Sequence, residues 1–359
     1  MGRMARHARK DGKGRCSRRL MSVLCALCAL WLVTSGLAQS GRRVANKKDS
    51  DRRSNAARAV GVDSRAEPTR SEAKADRASS GEDDEVVRIV SRLVPIPASV
   101  TDEAGRPLVG LQIRDFELRV DGEVKPIAEL AHAESPVRMA LLFDNSASIT
   151  AAREFEKRAA IAFLRRIVRP IDQAALFSVA TTTELMQPLT NDVERLVRAI
   201  ESFGKPTGAT ALLDGIAQAA AYLRPHVGRH VIVIISDGAD TISDTSFESV
   251  LNQVVVSDCQ VYAVQTGWSD NPNLRDLVAE RRLQELAVQT GGAVYAPRNQ
   301  GELDLAFAEI AADLAQQYLL SYYATDDPSD GRFRRITLTV RSHPAARVRT
   351  RRGYYAPRS

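Results

Sequence analysis

The five residues Val231-Ile232-Val233-Ile234-Ile235 are all apolar and all β-branched. Such a run favours a strand, and a strand with no polar side has to be covered on both faces. A second unbroken run, Met139-Ala140-Leu141-Leu142-Phe143, makes the same demand. Around these two, the apolar spacing is helical over 154–168, 193–203, 211–223, 247–256, 274–289 and 303–315, and strand-like over 174–179, 260–264 and 293–295. Strands that alternate with helices and are buried on both faces define an α/β fold. Residues 136–315 are therefore expected to build a mainly parallel central sheet with helices on both faces.

Two shorter β segments flank this part. Between 86 and 135, residues 87–90 and 116–120 alternate as half-buried strands do, while Glu103-Ala104-Gly105-Arg106-Pro107 and Asp121-Gly122 are turn chemistry. From 316 to 359, strands are expected at 318–323, 335–341 and 348–355, with a turn at 326–331 between the first two. Neither flank has enough strands for a stable module. The two are expected to combine into one small β-sandwich from which the α/β part projects.

Residues 1–38 are a different kind of chain. Eight Arg and Lys against Asp11 give them a charge of +7, so the net +6 of the whole chain leaves −1 for the rest. The pI of about 9.2 is thus no nucleic-acid footprint, and no nucleic-acid partner is expected. The basic stretch runs into apolar residues 20–33 and then Gly36-Leu37-Ala38, the pattern of an export signal cleaved before Gln39. A membrane helix needs about 20 apolar residues, more than this run holds, so membrane contact is expected only through the leader if it stays uncleaved. Ser17-Arg18-Arg19-Leu20-Met21 looks like a twin-arginine export motif. The expected destination is the periplasm, cell envelope or exterior. Residues 39–85 are rich in Arg, Ser, Ala, Asp and Glu and almost devoid of large apolar residues, as in a disordered linker. Of the four cysteines, Cys16, Cys25 and Cys28 lie in the leader, so a cleaved chain keeps Cys259 alone and no internal disulfide.

In an open α/β sheet, ligands bind beyond the carboxyl ends of the strands. Asp144 directly follows Leu141-Leu142-Phe143, and Asp237 directly follows Ile234-Ile235-Ser236. Asp144-Asn145-Ser146-Ala147-Ser148 puts a carboxylate and two hydroxyls on one turn entering a helix, and Gly208-Ala209-Thr210 offers a further hydroxyl at a helix start. Hard oxygen donors of this kind suit Mg²⁺, Mn²⁺ or Ca²⁺, whereas clustered thiolates or imidazoles would have indicated zinc.

Asp144-x-Ser146-x-Ser148, then Thr210, then Asp237 resembles the metal-ion-dependent adhesion site (MIDAS) motif of von Willebrand factor type A (vWA) domains, a Rossmann-like fold that includes integrin inserted domains. All five positions match, in order and on the expected elements. The resemblance implies that Ser146 and Ser148 contact the metal directly, that Thr210 does so directly or through water, and that the two aspartates act largely through water. It also implies that an acidic side chain of a protein partner completes the shell, with Mg²⁺ or Mn²⁺ serving better than Ca²⁺. Val100-Thr101-Asp102 with Gly105, residues 111–116, Asp121-Gly122, Gln317-Tyr318-Leu319-Leu320-Ser321-Tyr322 and Arg352-Gly353-Tyr354-Tyr355 look like the bacterial "VWFA-related" family frequent in Acidobacteria. That resemblance covers about residues 86–356.

Other polar residues compete for roles. Thr207 stands near Thr210 but lacks the position directly before the helix; Asp240 is either an outer member of the site or a loop cap; Asp214 and Asp172 read as surface or capping residues. His226 and His230 bracket a turn before the central strand, with Pro225 and Gly228 interrupting any helix there, and read as solvated loop residues. No phosphate-binding glycine loop and no Gly-x-Ser-x-Gly turn occurs, so the expectation is a metal-dependent binding protein and not an enzyme. A structural or assembly scaffold, in which the metal mainly stabilises the fold, is the alternative.

Overall fold

The computed structural model describes residues 92–132, 135–147, 153–266, 274–324 and 329–358. The leader, the linker, the strand expected at 87–90 and Ser148 lie outside the described residues. The chain opens with β1 (Arg92–Thr101), β2 (Phe116–Val120), β3 (Glu123–Lys125) and β4 (Glu129–His132). The central part follows as β5 (Val137–Asp144), α1 (Arg153–Ile167), β6 (Gln173–Val179), β7 (Thr183–Thr190), α2 (Val193–Glu201), α3 (Leu212–Leu223) and β8 (Arg229–Ser236). It continues as α4 (Phe247–Val256), β9 (Cys259–Gln265), α5 (Leu274–Thr290), β10 (Ala293–Tyr295) and α6 (Gln300–Gln316). Four strands close the chain: β11 (Tyr318–Ala324), β12 (Phe333–Val340), β13 (Arg347–Thr350) and β14 (Gly353–Tyr355).

The central sheet runs β10-β9-β8-β5-β6-β7, parallel except for β7. Its two unbroken apolar strands, β5 and β8, lie side by side in the middle. Alternate residues of β5 serve opposite cores: Met139, Leu141 and Phe143 pack with α1, α2 and α6, while Ala140 and Leu142 pack with α3, α4 and α5. Helix starts are set locally, since the side chains of Asp192, Ser246 and Asn299 accept from the amides of Arg195, Ser249 and Glu302.

The flanks form two four-stranded antiparallel sheets, β13-β1-β11-β4 and β14-β12-β2-β3, around one core. Every second residue of β1, from Val94 to Val100, meets Phe116, Leu118 and Val120 of β2, Tyr318, Leu320 and Tyr322 of β11, and Ile336, Leu338 and Val340 of β12 in that core. The Tyr318 hydroxyl accepts from the Leu111 amide at 3.0 Å and donates to the Leu108 carbonyl at 2.9 Å. Among the described residues the two strands paired with β1 are both C-terminal, β11 on one side and β13 on the other. The sandwich therefore cannot be assembled from one flank.

Some details differ from the sequence reading. Strand β7 was missed because Glu184, Gln187 and Pro188 break any apolar alternation; it lies at the sheet edge, where a proline is tolerated, and its register against β6 is interrupted. The single strand expected at 348–355 is two, β13 and β14, which belong to different sheets and are separated by Arg351 and Arg352. His230 is not a solvated loop residue: β8 begins at Arg229, and the His230 ring sits half-buried, 2.8 Å from the Ser257 carbonyl and 2.6 Å from that of His226. Asp172 is buried rather than on the surface. It accepts from the amides of Val137 (2.8 Å) and Arg169 (3.1 Å) and from the Arg169 guanidinium, fixing the start of β5. Burial alone would raise its pKa, but these hydrogen bonds outweigh burial and hold it below the usual carboxylate range.

Ending the chain after Ala315 removes both neighbours of β1 and one neighbour of β2. Amide hydrogen exchange should show protection in 92–101 and 116–120 falling by about 100-fold or more. Unchanged protection there would mean that the N-terminal strands hold together alone.

Candidate functional site

The order of the central sheet reverses at β5. From β5 the chain moves outward through α1 to β6 and β7, then returns to lay β8 on the other side of β5. Helix α1 packs on one face and α4, which follows β8, on the opposite face. The chain thus leaves the carboxyl ends of β5 and β8 in diverging directions, and a crevice opens between them, the usual ligand position in this architecture.

Asp144 ends β5 at the floor of that crevice and is only 1 % exposed. Its Oδ2 accepts from the Ser236 hydroxyl of β8 at 2.5 Å, and its Oδ1 accepts from the Ser146 amide at 2.9 Å. The Ser146 hydroxyl also bonds to this carboxylate. Burial pushes the Asp144 pKa above its ordinary value; the two serines pull it back, while the charge of Asp237 pushes it up further. Asp237 is half-buried just beyond β8, with Oδ1 accepting from the Ala239 amide at 2.9 Å. Gly238 takes φ +82°, which turns the chain sharply after Asp237.

Thr210 is buried and comes from the loop before α3. Its amide donates to the Thr241 hydroxyl at 2.9 Å and its carbonyl accepts from the Thr241 amide at 2.9 Å, whereas its own hydroxyl makes no hydrogen bond among the described residues. The helix starts at Leu212 with Ala211 as its cap, so Thr210 precedes it by two residues and not one. This loop is stitched to the turn after β5: the Ala147 amide donates to the Gly208 carbonyl (3.3 Å) and the Thr207 amide to the Asn145 carbonyl (3.0 Å). Gly208 has φ +79°, and a Cβ there would stand 2.4 Å from the Thr181 hydroxyl, so the close approach requires glycine. Thr207 itself is exposed.

Asp144, Ser146 and Asp237 thus act on one another at the strand ends, and the loop that carries Thr210 is stitched to the same turn, while Ser148 lies outside the described residues. Asp240 is a cap: its Oδ1 accepts from the Leu213 amide at 3.2 Å and the Ser243 hydroxyl at 2.6 Å, satisfying the start of α3. Asp214 braces a neighbouring loop through the amides of Asp244 and Thr245. Among the described residues no group of three or more His, Cys, Asp and Glu is arranged to hold a metal. The donor set consists of hydroxyls with two carboxylates already engaged by amides and serines, and it fits a hard divalent cation bound mainly through neutral oxygens. A cation there would offset the burial and the lesser repulsion that raise the Asp144 pKa.

Three residues of the crevice were not singled out from sequence. Ser236 is one, hidden inside an apolar strand. Glu156 and Thr266 are the others. Glu156, in the first turns of α1, is 1 % exposed, and neither of its carboxyl oxygens has a hydrogen-bond partner among the described residues. Its signal in the sequence is an acid on the helix face that otherwise buries Ala159, Ala160, Phe163 and Leu164. Burial raises its pKa to about 7, with the charges of Asp144 and Asp237 adding to the rise and Thr266 and Arg153 opposing it. Arg153 forms no ion pair among the described residues; its Nη2 donates to the Gly204 carbonyl at 2.8 Å, and its guanidinium lies 5.8 Å from the ring centres of Phe143 and Phe203.

Residues 139–239, from β5 to the turn that carries Asp237, match the family model described as the von Willebrand factor type A domain. The chain contains a vWA domain. Solved structures similar to it include a variant of the PilB minor pilin of Streptococcus sanguinis, at 14 % identity over 51 % of this chain and 62 % of that one, with a TM-score of 0.41. The chain thus spans less than two thirds of the PilB structure. BatB of Bacteroides thetaiotaomicron is similar at 18 % identity over 49 % of this chain and 98 % of that one, with a TM-score of 0.40. The vWF domain of the type V pili tip protein Mfa5 of Porphyromonas gingivalis is similar at 12 % identity over 50 % and 94 %, with a TM-score of 0.42. No curated protein matches the chain.

The buried acid sets a pH dependence in the vWA domain without metal. An unfolded Glu titrates at 4.5 and the folded Glu156 at about 7, so the native state holds the extra proton between these values. Its cost to stability is absent below 4.5, grows as pH rises to 7, and is complete above, reaching about 3 kcal/mol. In EDTA, Glu156→Gln should raise unfolding free energy by roughly 1–3 kcal/mol at pH 8 and hardly at all at pH 4.5. Urea titrations at the two pH values measure this, and an equal effect at both would contradict the assignment.

Proposed function

We propose that Asp144, Ser146, Ser148, Thr210 and Asp237 form an intact metal-ion-dependent adhesion site, and that the protein binds an acidic side chain of a protein partner through it. The observation that carries this reading is the Asp144 carboxylate, buried at the strand-order reversal with both oxygens committed to Ser236 and Ser146 and with Asp237 beside it. An aspartate so held orients serines rather than reacting, and the surplus negative charge calls for a cation. A divalent cation held by the serines, the threonine and water keeps much of its charge and supplies an open position for a carboxylate. Mg²⁺ or Mn²⁺ suits a compact, partly hydrated site better than Ca²⁺.

The chemistry offered is grip rather than turnover, so the protein is read as a binding module and not an enzyme. The leader supports export to the periplasm, envelope or exterior, by a signal that is cleaved before Gln39, and the flanking motifs support kinship with the bacterial VWFA-related proteins of Acidobacteria. A second reading, a scaffold whose metal mainly stabilises the fold, draws support from the uncompensated buried acids. EDTA separates the two: a binding module keeps its fold and loses its partner, whereas a metal-stabilised scaffold unfolds.

Asp144→Ala, or Ser146→Ala with Ser148→Ala, should weaken Mg²⁺ binding by more than about 100-fold and abolish partner capture, leaving the circular-dichroism spectrum unchanged. Calorimetric titration of Mg²⁺, Mn²⁺ and Ca²⁺ into metal-free protein gives the affinities. Equal affinity in wild type and variants would sink the site.

A further inference from the structure

We propose, resting on the cation site above, that the site continues into a buried outer layer made by Glu156 and Thr266, which hydrogen-bonds cation-held water on the β9 side of the crevice. Thr266 directly follows β9, and its amide donates to the Ser236 carbonyl at 3.0 Å. Ser236 is the residue whose hydroxyl holds Asp144, so Thr266 stands one hydrogen bond from the residue that orients the crevice floor. Glu156 reaches the same place from α1 on the other side. The Thr266 hydroxyl lies close enough to Glu156 to pull its pKa down, but neither it nor either Glu156 oxygen, all of them buried, makes a well-formed hydrogen bond among the described residues.

Native proteins leave few buried polar atoms unsatisfied, and three in one place call for a donor. Arg153, the nearest cation on α1, gives its Nη2 to the Gly204 carbonyl and forms no ion pair among the described residues, and its buried Nη1 is also left without a partner. Nor does Glu156 join Asp144 and Asp237 as a third direct ligand, since no such group is arranged for a metal among the described residues. Water polarised by a divalent cation is a strong donor and bridges that gap. Glu156 then serves as a positioning residue: it fixes the orientation of the cation's water and adds negative charge at a distance, which leaves the cation's electrophilic face open to a partner. A helix face that merely packed would carry an apolar residue here, as it does at Ala160, Phe163 and Leu164.

The test is calorimetric titration of Mg²⁺ and Mn²⁺ into the metal-free full chain, comparing wild type, Glu156→Gln, Thr266→Val and Asp144→Ala at pH 8, with melting temperature in EDTA recorded for each. Glu156→Gln should weaken Mg²⁺ by roughly ten- to hundred-fold, and Thr266→Val should act in the same direction. The melting temperature of Glu156→Gln in EDTA should not fall. A purely structural Glu156 would give the opposite pair, a lower melting temperature and unchanged affinity. Full Mg²⁺ affinity in Glu156→Gln and Thr266→Val, with loss in Asp144→Ala, overturns the outer layer and leaves the five-residue site standing. A wild type that takes up neither ion overturns both. Thr266→Val, close in shape to the parent, keeps the test decisive if Glu156→Gln fails to fold.

Discussion

The hydrogen bond from Ser236 to Asp144, 2.5 Å long, ties together the ends of the two strands on which the central part is built. Strands β5 and β8 are the apolar spine of the molecule, each covered on both faces. Above their carboxyl ends the turns are held by local hydrogen bonds. The Ser236 bond, the Ser146 amide and the links from Ala147 to Gly208 and from Thr207 to Asn145 do that work. They bring three loops from distant parts of the sequence to one spot, which is the requirement for any multidentate ligand.

The crevice is expensive in the absence of a ligand. Two acids, Asp144 and Glu156, are buried with raised pKa values, and a third, Asp237, pushes both upward. A sequence selected for stability alone would place apolar residues at such positions. Concentrating like charge beneath a strand end is the opposite of core design, and it is the cost that the proposed cation would offset. Asp172 shows the contrast: it is as buried as an apolar residue yet has four hydrogen bonds from Val137 and Arg169.

The long α/β elements were legible in the sequence because their apolar period is set by full burial, as in β5 and β8, or by one buried helix face, as in α3. The proposed site was read from position: Asp144 is the last residue of one, and Asp237 directly follows the other, of the two unbroken apolar strands at the centre of the sheet. What escaped the reading was decided by neighbours. Strand β7 earns its pairing only as an edge, and β1 and β4 extend beyond any clear alternation because their partners β11 and β13 lie far along the chain. Glu156 looks like an ordinary helix charge until α1 is docked, and Ser236 looks like a strand residue until Asp144 faces it.

The pairing of β1 has a mechanical side. Its neighbours β11 and β13 both run antiparallel to it, one on each edge. Strand β11 holds β1 from Arg92 to Ala98 and β13 holds it from Ala98 to Thr101, so tension along β1 loads the hydrogen bonds of one edge and then of the other in shear, rather than peeling them one at a time.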